Sequence, residues 1–232
     1  MTFTVLSIET STLNCSVAIH KDGQLLSCVE ESSSAYIHGE KLHLFIDQCI
    51  AEAEIQIADL TAVAVSKGPG SYTGLRIGVS AAKGLAFSLD IPLYSVDSLD
   101  VLANAIHLNL KEDHLILANI DARRMEIYGA FYNSDGTRLT DISADVVEED
   151  IYSEIHKGRK VILAGDAQEK LLSVLPGEIY SASEVNFPSA KDMGALIQQK
   201  IEQGKNEDVA YFEPFYLKDF VAGKPRKSPL DL

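Results

Sequence analysis

Hydrophobic and polar positions change period several times along the 232-residue chain, and each change marks an element. Short apolar stretches at Phe3 to Ile8, Cys15 to His20 and Gln24 to Glu30 predict three strands. Asp22-Gly23 between the last two is a two-residue hairpin signal, so the three read as an antiparallel meander. Beyond the polar break Glu31 to Ser34, apolar residues Leu42, Phe45, Ile46, Cys49, Ile50 and Ala53 recur at steps of three and four. That period predicts one face of an amphipathic helix over Lys41 to Ala53. Thr61 to Ser66 predicts a β-branched strand and Leu75 to Leu89 a second helix. Pro92 then halts the helix ahead of a strand at Leu93 to Val96.

A second cycle begins near residue 114. Strands are predicted at Leu115 to Ile120, Glu126 to Tyr132 and, past the Asn133-Ser134-Asp135-Gly136 turn, Arg138 to Val147. Val161 to Ala164 predicts a strand, and Gln168 to Leu175 and Ser189 to Gln203 predict helices, the last opened by a capping box at Ser189 and Asp192. Meander, helix, strand and helix thus occur twice in order without a repeat of residues. The expected architecture is α/β: two similar domains with mixed sheets, over residues 1–105 and 106–210. A segment over 211–232 is expected to pack back on the first domain and then fray.

Hydrophobic residues at 46% and charged residues at 23% are ordinary for a globular chain and exclude disorder as a class. Twenty Lys and Arg against thirty-four Asp and Glu give a net charge of −14, which disfavours direct, high-affinity nucleic-acid binding. Cys15, Cys28 and Cys49 lack C-x-x-C spacing and fit a reduced, cytoplasmic protein. The first eight residues lack a basic n-region, and no apolar run reaches the roughly 18 to 20 residues of a membrane span. A soluble protein without a targeting segment is expected.

Chemistry concentrates at Gly68-Pro69-Gly70-Ser71-Tyr72-Thr73-Gly74, between a strand and a helix N-terminus. Three glycines and hydroxyl side chains there suit a backbone cradle for an anion. The same glycines suit a tight turn that lets the helix approach its sheet, and the spacing matches neither a P-loop nor a nucleophile elbow. Glu9-Thr10-Ser11 at the end of the first strand places a carboxylate and hydroxyls where a phosphate or hydrated magnesium could lie, or where a turn needs caps. Asp121 holds the corresponding place in the second half, where Arg123 and Arg124 stand instead of glycines and favour a cap. His38 and His43, five helical steps of about 100° apart, face directions roughly 140° apart and cannot share a metal. His20, His107, His114 and His156 read as solvated or capping, and no metal site or nucleophile is nominated. The Leu75 to Leu89 helix carries only Arg76 and Lys83 as charges, so it is expected to be buried on more than one side, against a neighbouring helix or another chain.

Leu6-Ser-Ile-Glu-Thr-Ser-Thr12, Cys15-Ser-Val-Ala18, Gly68-Pro-Gly-Ser-Tyr-Thr-Gly-Leu-Arg-Ile-Gly78, Lys83-Gly-Leu-Ala86, Asp121-Ala-Arg-Arg124 and Pro214-x-Tyr-Leu-Lys218 together resemble the bacterial TsaB (YeaZ) family. The resemblance implies the actin/sugar-kinase/Hsp70-like fold of two RNase H-like domains. It also implies a part in making threonylcarbamoyladenosine beside the anticodon of tRNA, as the non-catalytic subunit that dimerises with TsaD and recruits the ATPase TsaE. ATP and magnesium would be used by the complex, with no cofactor in the isolated chain and tRNA met only through the complex. The family's pairing helices map to Lys41 to Ala53 and Leu75 to Leu89. The expected interface residues are Leu42, Phe45, Ile46, Cys49, Gly78, Ala81, Ala82 and Leu85, and a homodimer through the same surface is the alternative pairing. Glu9, Thr10, Ser11, Gly68, Gly70, Ser71, Thr73, Gly74 and Asp121 are then expected as degenerate phosphate-loop residues. Two other functions stay open: an autonomous ATP-dependent kinase or ATPase using Glu9, Thr10 and the Gly68 loop, and a peptidase.

Overall fold

The computed structural model describes residues 2–106 and 110–218; His107 and the tail beyond 218 lie outside the described residues. The meander forms as β1 (Thr4–Glu9), β2 (Asn14–Lys21) and β3 (Gln24–Ser32). Asp22 and Gly23 both take positive φ, +50° and +78°, the backbone that a two-residue hairpin of the right twist requires. Then come α1 (His38–Glu52), β4 (Ala62–Ser66), α2 (Tyr72–Leu89), β5 (Leu93–Val96) and α3 (Ser98–Ile106). The second half contains β6 (Leu115–Asp121), β7 (Glu126–Asn133), β8 (Ser143–Val146), α4 (Ser153–His156), β9 (Val161–Gly165), α5 (Gln168–Leu172) and β10 (Tyr180–Ala182). A 3-10 turn at Ala190–Met193 leads into α6 (Gly194–Glu202).

The sheets have the orders β3-β2-β1-β4-β5 and β10-β9-β6-β7-β8. Read from the outer meander strand, the second is β8-β7-β6-β9-β10, the order of the first. In each, three antiparallel strands are extended by two parallel ones. This is the two-domain, mixed-sheet α/β fold of the actin/sugar-kinase/Hsp70-like class.

Several predicted elements differ in extent, and α1 and α2 each begin three residues before the predicted Lys41 and Leu75. Within Arg138 to Val147 only Ser143–Val146 pairs as a strand, and Arg138 makes an isolated bridge to Tyr132. The helix expected to reach Leu175 ends at Leu172. The one expected over Ser189 to Gln203 opens as the 3-10 turn, with Ser189 Oγ accepting the Lys191 N–H.

The division at residue 105 also needs correction, because the helices that complete the sheets are exchanged between halves. On the first sheet, α1 and α2 cover one face, burying Leu42, Phe45, Leu75 and Val79. Its other face, Val5, Ala18, Ala62, Ala64 and Val96, is covered by Ala190, Met193, Ile197 and Ile201 from the far end of the chain. Conversely α3, from the first half, lays Leu99, Leu102, Ala103 and Ile106 on Ile116, Ala118 and Ile120 of the second sheet. Its second face is covered by Tyr152, Ala167, Leu171 and Leu175. Residues 207–215 return to the first domain: the Glu207 N–H donates to Leu93 O, the Phe215 N–H to Lys67 O, and Phe212 enters the core.

Candidate functional site

β1 delivers Glu9, Thr10 and Ser11 to a fully buried position beside the Gly68–Gly74 loop, and the two segments are bonded directly to each other. The Ser71 N–H donates to Ser11 O at 2.6 Å and Thr10 Oγ1 donates to Gly74 O at 2.9 Å. Ser71 Oγ accepts the Gly74 N–H and caps α2, so that donor is also used. A Cβ at Gly70 would lie 2.3 Å from Ser11 O, and one at Gly74 2.1 Å from Thr10 O. The glycines are thus taken up by the approach of one backbone to another, and the tight-turn alternative replaces the expected phosphate cradle. Thr73, expected in the same cradle, points outward on α2.

Glu9 Oε1 accepts the Ser11 N–H at 2.6 Å, while Oε2, Ser11 Oγ and Ser66 Oγ are buried atoms without an assigned partner among the described residues. Burial pushes the Glu9 carboxyl above its ordinary pKa, and the Ser11 and Ser66 hydroxyls nearby oppose that rise. His38 Nε2 lies 2.8 Å from Thr12 O, which pins the same loop to α1, and burial lowers its pKa. No group of three or more His, Cys, Asp and Glu is placed to hold a metal among the described residues. The nucleotide and magnesium implied by the fold class do not fit this half, since the space before α2 contains the chain's own Thr10 and Ser11.

Asp121 is a turn residue. Its Oδ1 accepts the Arg123 N–H and a lysine hydrogen bond from Lys170 Nζ, both at 2.6 Å, while its own N–H donates to Asp166 Oδ1. His20, expected to be solvated or capping, is buried between Ser7 Oγ and Lys191 O, and desolvation lowers its pKa. The three thiols are free; burial pushes those of Cys15 and Cys28 up to about 12 and keeps them protonated.

The expected interface residues on α1, Leu42, Phe45, Ile46 and Cys49, face the sheet and are buried, as are Gly78 and Ala82 on α2. Ala81 and Leu85 are half-buried against the same core. These six buried positions are corrected to core, because the apolar stripe of period 3.6 is consumed by this chain's own sheet. The outward stripes are His43, Leu44, Asp47 and Gln48 on α1, and Thr73, Arg76, Ser80, Gly84, Phe87 and Ser88 on α2. Leu44 is 61% and Phe87 82% exposed. The return segment borders this face: Lys83 Nζ donates to Ala210 O and Phe212 O, and Arg76 Nε donates to the Tyr216 hydroxyl.

A family model described as "TsaD: tRNA N6-adenosine threonylcarbamoyltransferase" matches residues 30–152. The "tRNA threonylcarbamoyladenosine biosynthesis protein TsaB" of Escherichia coli K12 is 30% identical over 228 residues, covering 95% of this chain and 96% of that one. The protein of the same name from Buchnera aphidicola subsp. Schizaphis graminum is 30% identical over 195 residues, or 82% and 90% of the two chains. The chain belongs to the TsaB family. The solved structure described as "YeaZ from Pseudomonas aeruginosa" is 26% identical with a TM-score of 0.78, covering 93% of this chain and all of that one. Another from that organism, titled an uncharacterized protein with similarity to peptidase YEAZ, is 25% identical with a TM-score of 0.79 over the same shares.

For this TsaB-family chain the outward residues were accessible from sequence by complement. Once Leu42, Phe45, Ile46 and Cys49 are given to the sheet, His43, Leu44, Asp47 and Gln48 are what remains. On α2 Leu75, Val79, Ala82 and Ala86 give the sheet face in the same way, but the small residues Ser80, Gly84 and Ser88 on the outer face do not by themselves announce a surface. No periodic signal could place the strap of 207–215, which is held by backbone hydrogen bonds, the Ser95–Glu207 side-chain bond and the apolar contacts of Val209 and Phe212.

Proposed function

We propose that this chain serves tRNA threonylcarbamoyladenosine biosynthesis in the cytoplasm as a non-catalytic subunit, pairing with TsaD through the outer faces of α1 and α2. The observation that carries the reading is the α2 stripe, in which Phe87 stands almost fully in water beside the small residues Ser80, Gly84 and Ser88. A solvent-facing aromatic next to small residues lets a partner helix approach closely, and burying Phe87 and Leu44 would contribute about 1.5–3 kcal/mol each. The filled junction between Glu9–Ser11 and Gly70–Gly74 weighs against the autonomous kinase, because a phosphate there would have to displace backbone hydrogen bonds. In this reading TsaE binds the pair, and ATP with magnesium is used by the complex.

Gly84 provides the test, since a Cβ there meets nothing within 4 Å in the isolated chain. Gly84→Arg should abolish copurification with the cognate TsaD while the melting temperature of the chain alone stays within a few degrees of wild type. Undiminished copurification would overturn the pairing surface. Gly78 is unsuitable for this purpose, because a side chain there would strike Thr10 Oγ1 at 2.2 Å and damage the fold itself.

A further inference from the structure

The turn between β6 and β7 is built from residues its backbone does not favour. Arg123 and Arg124, the only adjacent arginine pair in the sequence, take φ of +69° and +51° in succession. Left-handed backbone suits glycine or asparagine and costs an arginine on the order of 1 kcal/mol at each position. Both side chains are exposed, and neither guanidinium has an ion-pair partner among the described residues. The two lysines beside the turn are already matched. Lys170 pairs with Asp121 and Lys218 with Glu126, while Asp166 is turned inward to accept the Asp121 N–H. The acidic run Glu148 to Asp150 follows Val147, whose N–H donates to Met125 O, yet no ion pair joins it to either arginine. Two unpaired guanidinia therefore project from a strained turn of a chain whose net charge is −14.

From this juxtaposition we propose that Arg123 and Arg124 form a phosphate-binding turn through which this subunit contacts the RNA backbone directly. The inference rests on the tRNA-modification reading above and amends the expectation that the chain meets tRNA only through its partner. Guanidinium matches phosphate by charge and by paired N–H donors, and at physiological salt, charges more than about 8 Å away are largely screened. The remote acids of the chain are thereby removed from the balance, while Glu148 to Asp150 remain local across the Val147–Met125 bond, so the arginines act on phosphate by direct contact and not through a broad positive field. Such contacts position an RNA without reading its sequence.

The test replaces both arginines by glycine, which suits the left-handed backbone and leaves the turn intact or more stable. Arg123→Gly/Arg124→Gly chain and wild type, each mixed with cognate TsaD, are compared for binding of an unmodified tRNA transcript by fluorescence anisotropy across a salt series. Two lost phosphate contacts should weaken binding roughly five- to tenfold at moderate salt and reduce the slope of log K against log salt by about 1.5. Arg123→Lys/Arg124→Lys should retain most of that slope. Unchanged affinity and slope in the glycine variant, with wild type binding tRNA, would overturn the inference and leave the proposed function standing. Absence of tRNA binding by the wild-type mixture would overturn both. Calorimetric titration with ATP separates the sources of phosphate: loss of ATP binding with tRNA binding intact overturns the RNA contact. So does loss of TsaD copurification with tRNA binding intact, which would give the arginines an acidic protein partner instead.

Discussion

Gly74 and Gly84 lie on one helix and meet opposite surroundings. A Cβ at Gly74 would sit 2.1 Å from Thr10 O and 3.3 Å from the His38 ring, whereas at Gly84 it would meet open space. Gly84→Ala should therefore stabilise the isolated chain by about 0.5–1 kcal/mol, the gain of alanine over glycine in an exposed helix. Gly74→Ala should destabilise it by about 1–3 kcal/mol, because a carbonyl of the Glu9 loop must move. Urea denaturation of the two variants measures both, and a gain at Gly74 would show that the Thr10–Gly74 contact is loose. Sequence sets Gly74 in a glycine-rich loop and Gly84 in a helix, but it does not say what each faces. The G-x-G-x-x-x-G pattern announces close approach at Gly68 to Gly74 without saying whether the approaching group is a phosphate or the chain itself. Only the hydrogen bonds from Ser71 to Ser11 and from Thr10 to Gly74 decide it.

At the level of elements, strands were legible where their faces have a clear period, and helices were legible where one face is apolar. β5 falls at its predicted limits, and β1 to β4 shift by a residue or two. α3 carries the helical period at Leu99, Leu102, Ala103 and Ile106, but also buries Ser98 and Val101, so its pattern is blurred by contact on two sides. The 3-10 turn before α6 has a chemical signature instead. Asp192 lies there among Lys191 and Glu30, and burial pushes its carboxyl up from 3.8 to about 6. A carboxyl raised on folding holds its proton longer in the native state than in the unfolded chain. Stability from this group is therefore full below pH 4 and is lost as pH rises towards 6, with no further change above. Asp192→Asn should remove that fall, gaining on the order of 1–2 kcal/mol over wild type between pH 4.5 and pH 7. The Asn104 amide bonds the backbone carbonyl of residue 192 and is untouched by the change. Denaturation curves at several pH values, taken as the difference between variant and wild type, isolate this group from Glu9 and His20. A difference independent of pH would show that folding leaves the Asp192 carboxyl at its unfolded pKa.

Over the whole molecule, the exchanged helices make the two sheets one folding problem. The first sheet can keep Val5, Ala62, Ala64 and Val96 out of water only while Met193, Ile197 and Ile201 lie over them, and α3 does the same for the second sheet. Polar contacts run the same way: Lys67 and Arg138 both pair with Asp97, and Asp100 accepts from Arg138 and from the Tyr132 hydroxyl of the second sheet. The duplicated layout of the sequence put the domain boundary at residue 105 because it records the order of elements and not which face each helix covers. A fragment of residues 1–105 contains all of β1 to β5 with α1 and α2, yet it would expose an entire sheet face and most of the apolar stripe of α3. Each large side chain uncovered costs about 1.5–3 kcal/mol, and three or four of them equal the total stability of an ordinary domain, about 5–15 kcal/mol. The fragment should therefore lack a cooperative thermal transition and bind a hydrophobic dye, while the full chain unfolds in a single step with coincident circular dichroism and tyrosine fluorescence. A fragment that melts cooperatively on its own would mean that the contacts of Ala190 to Ile201 are dispensable to the first sheet.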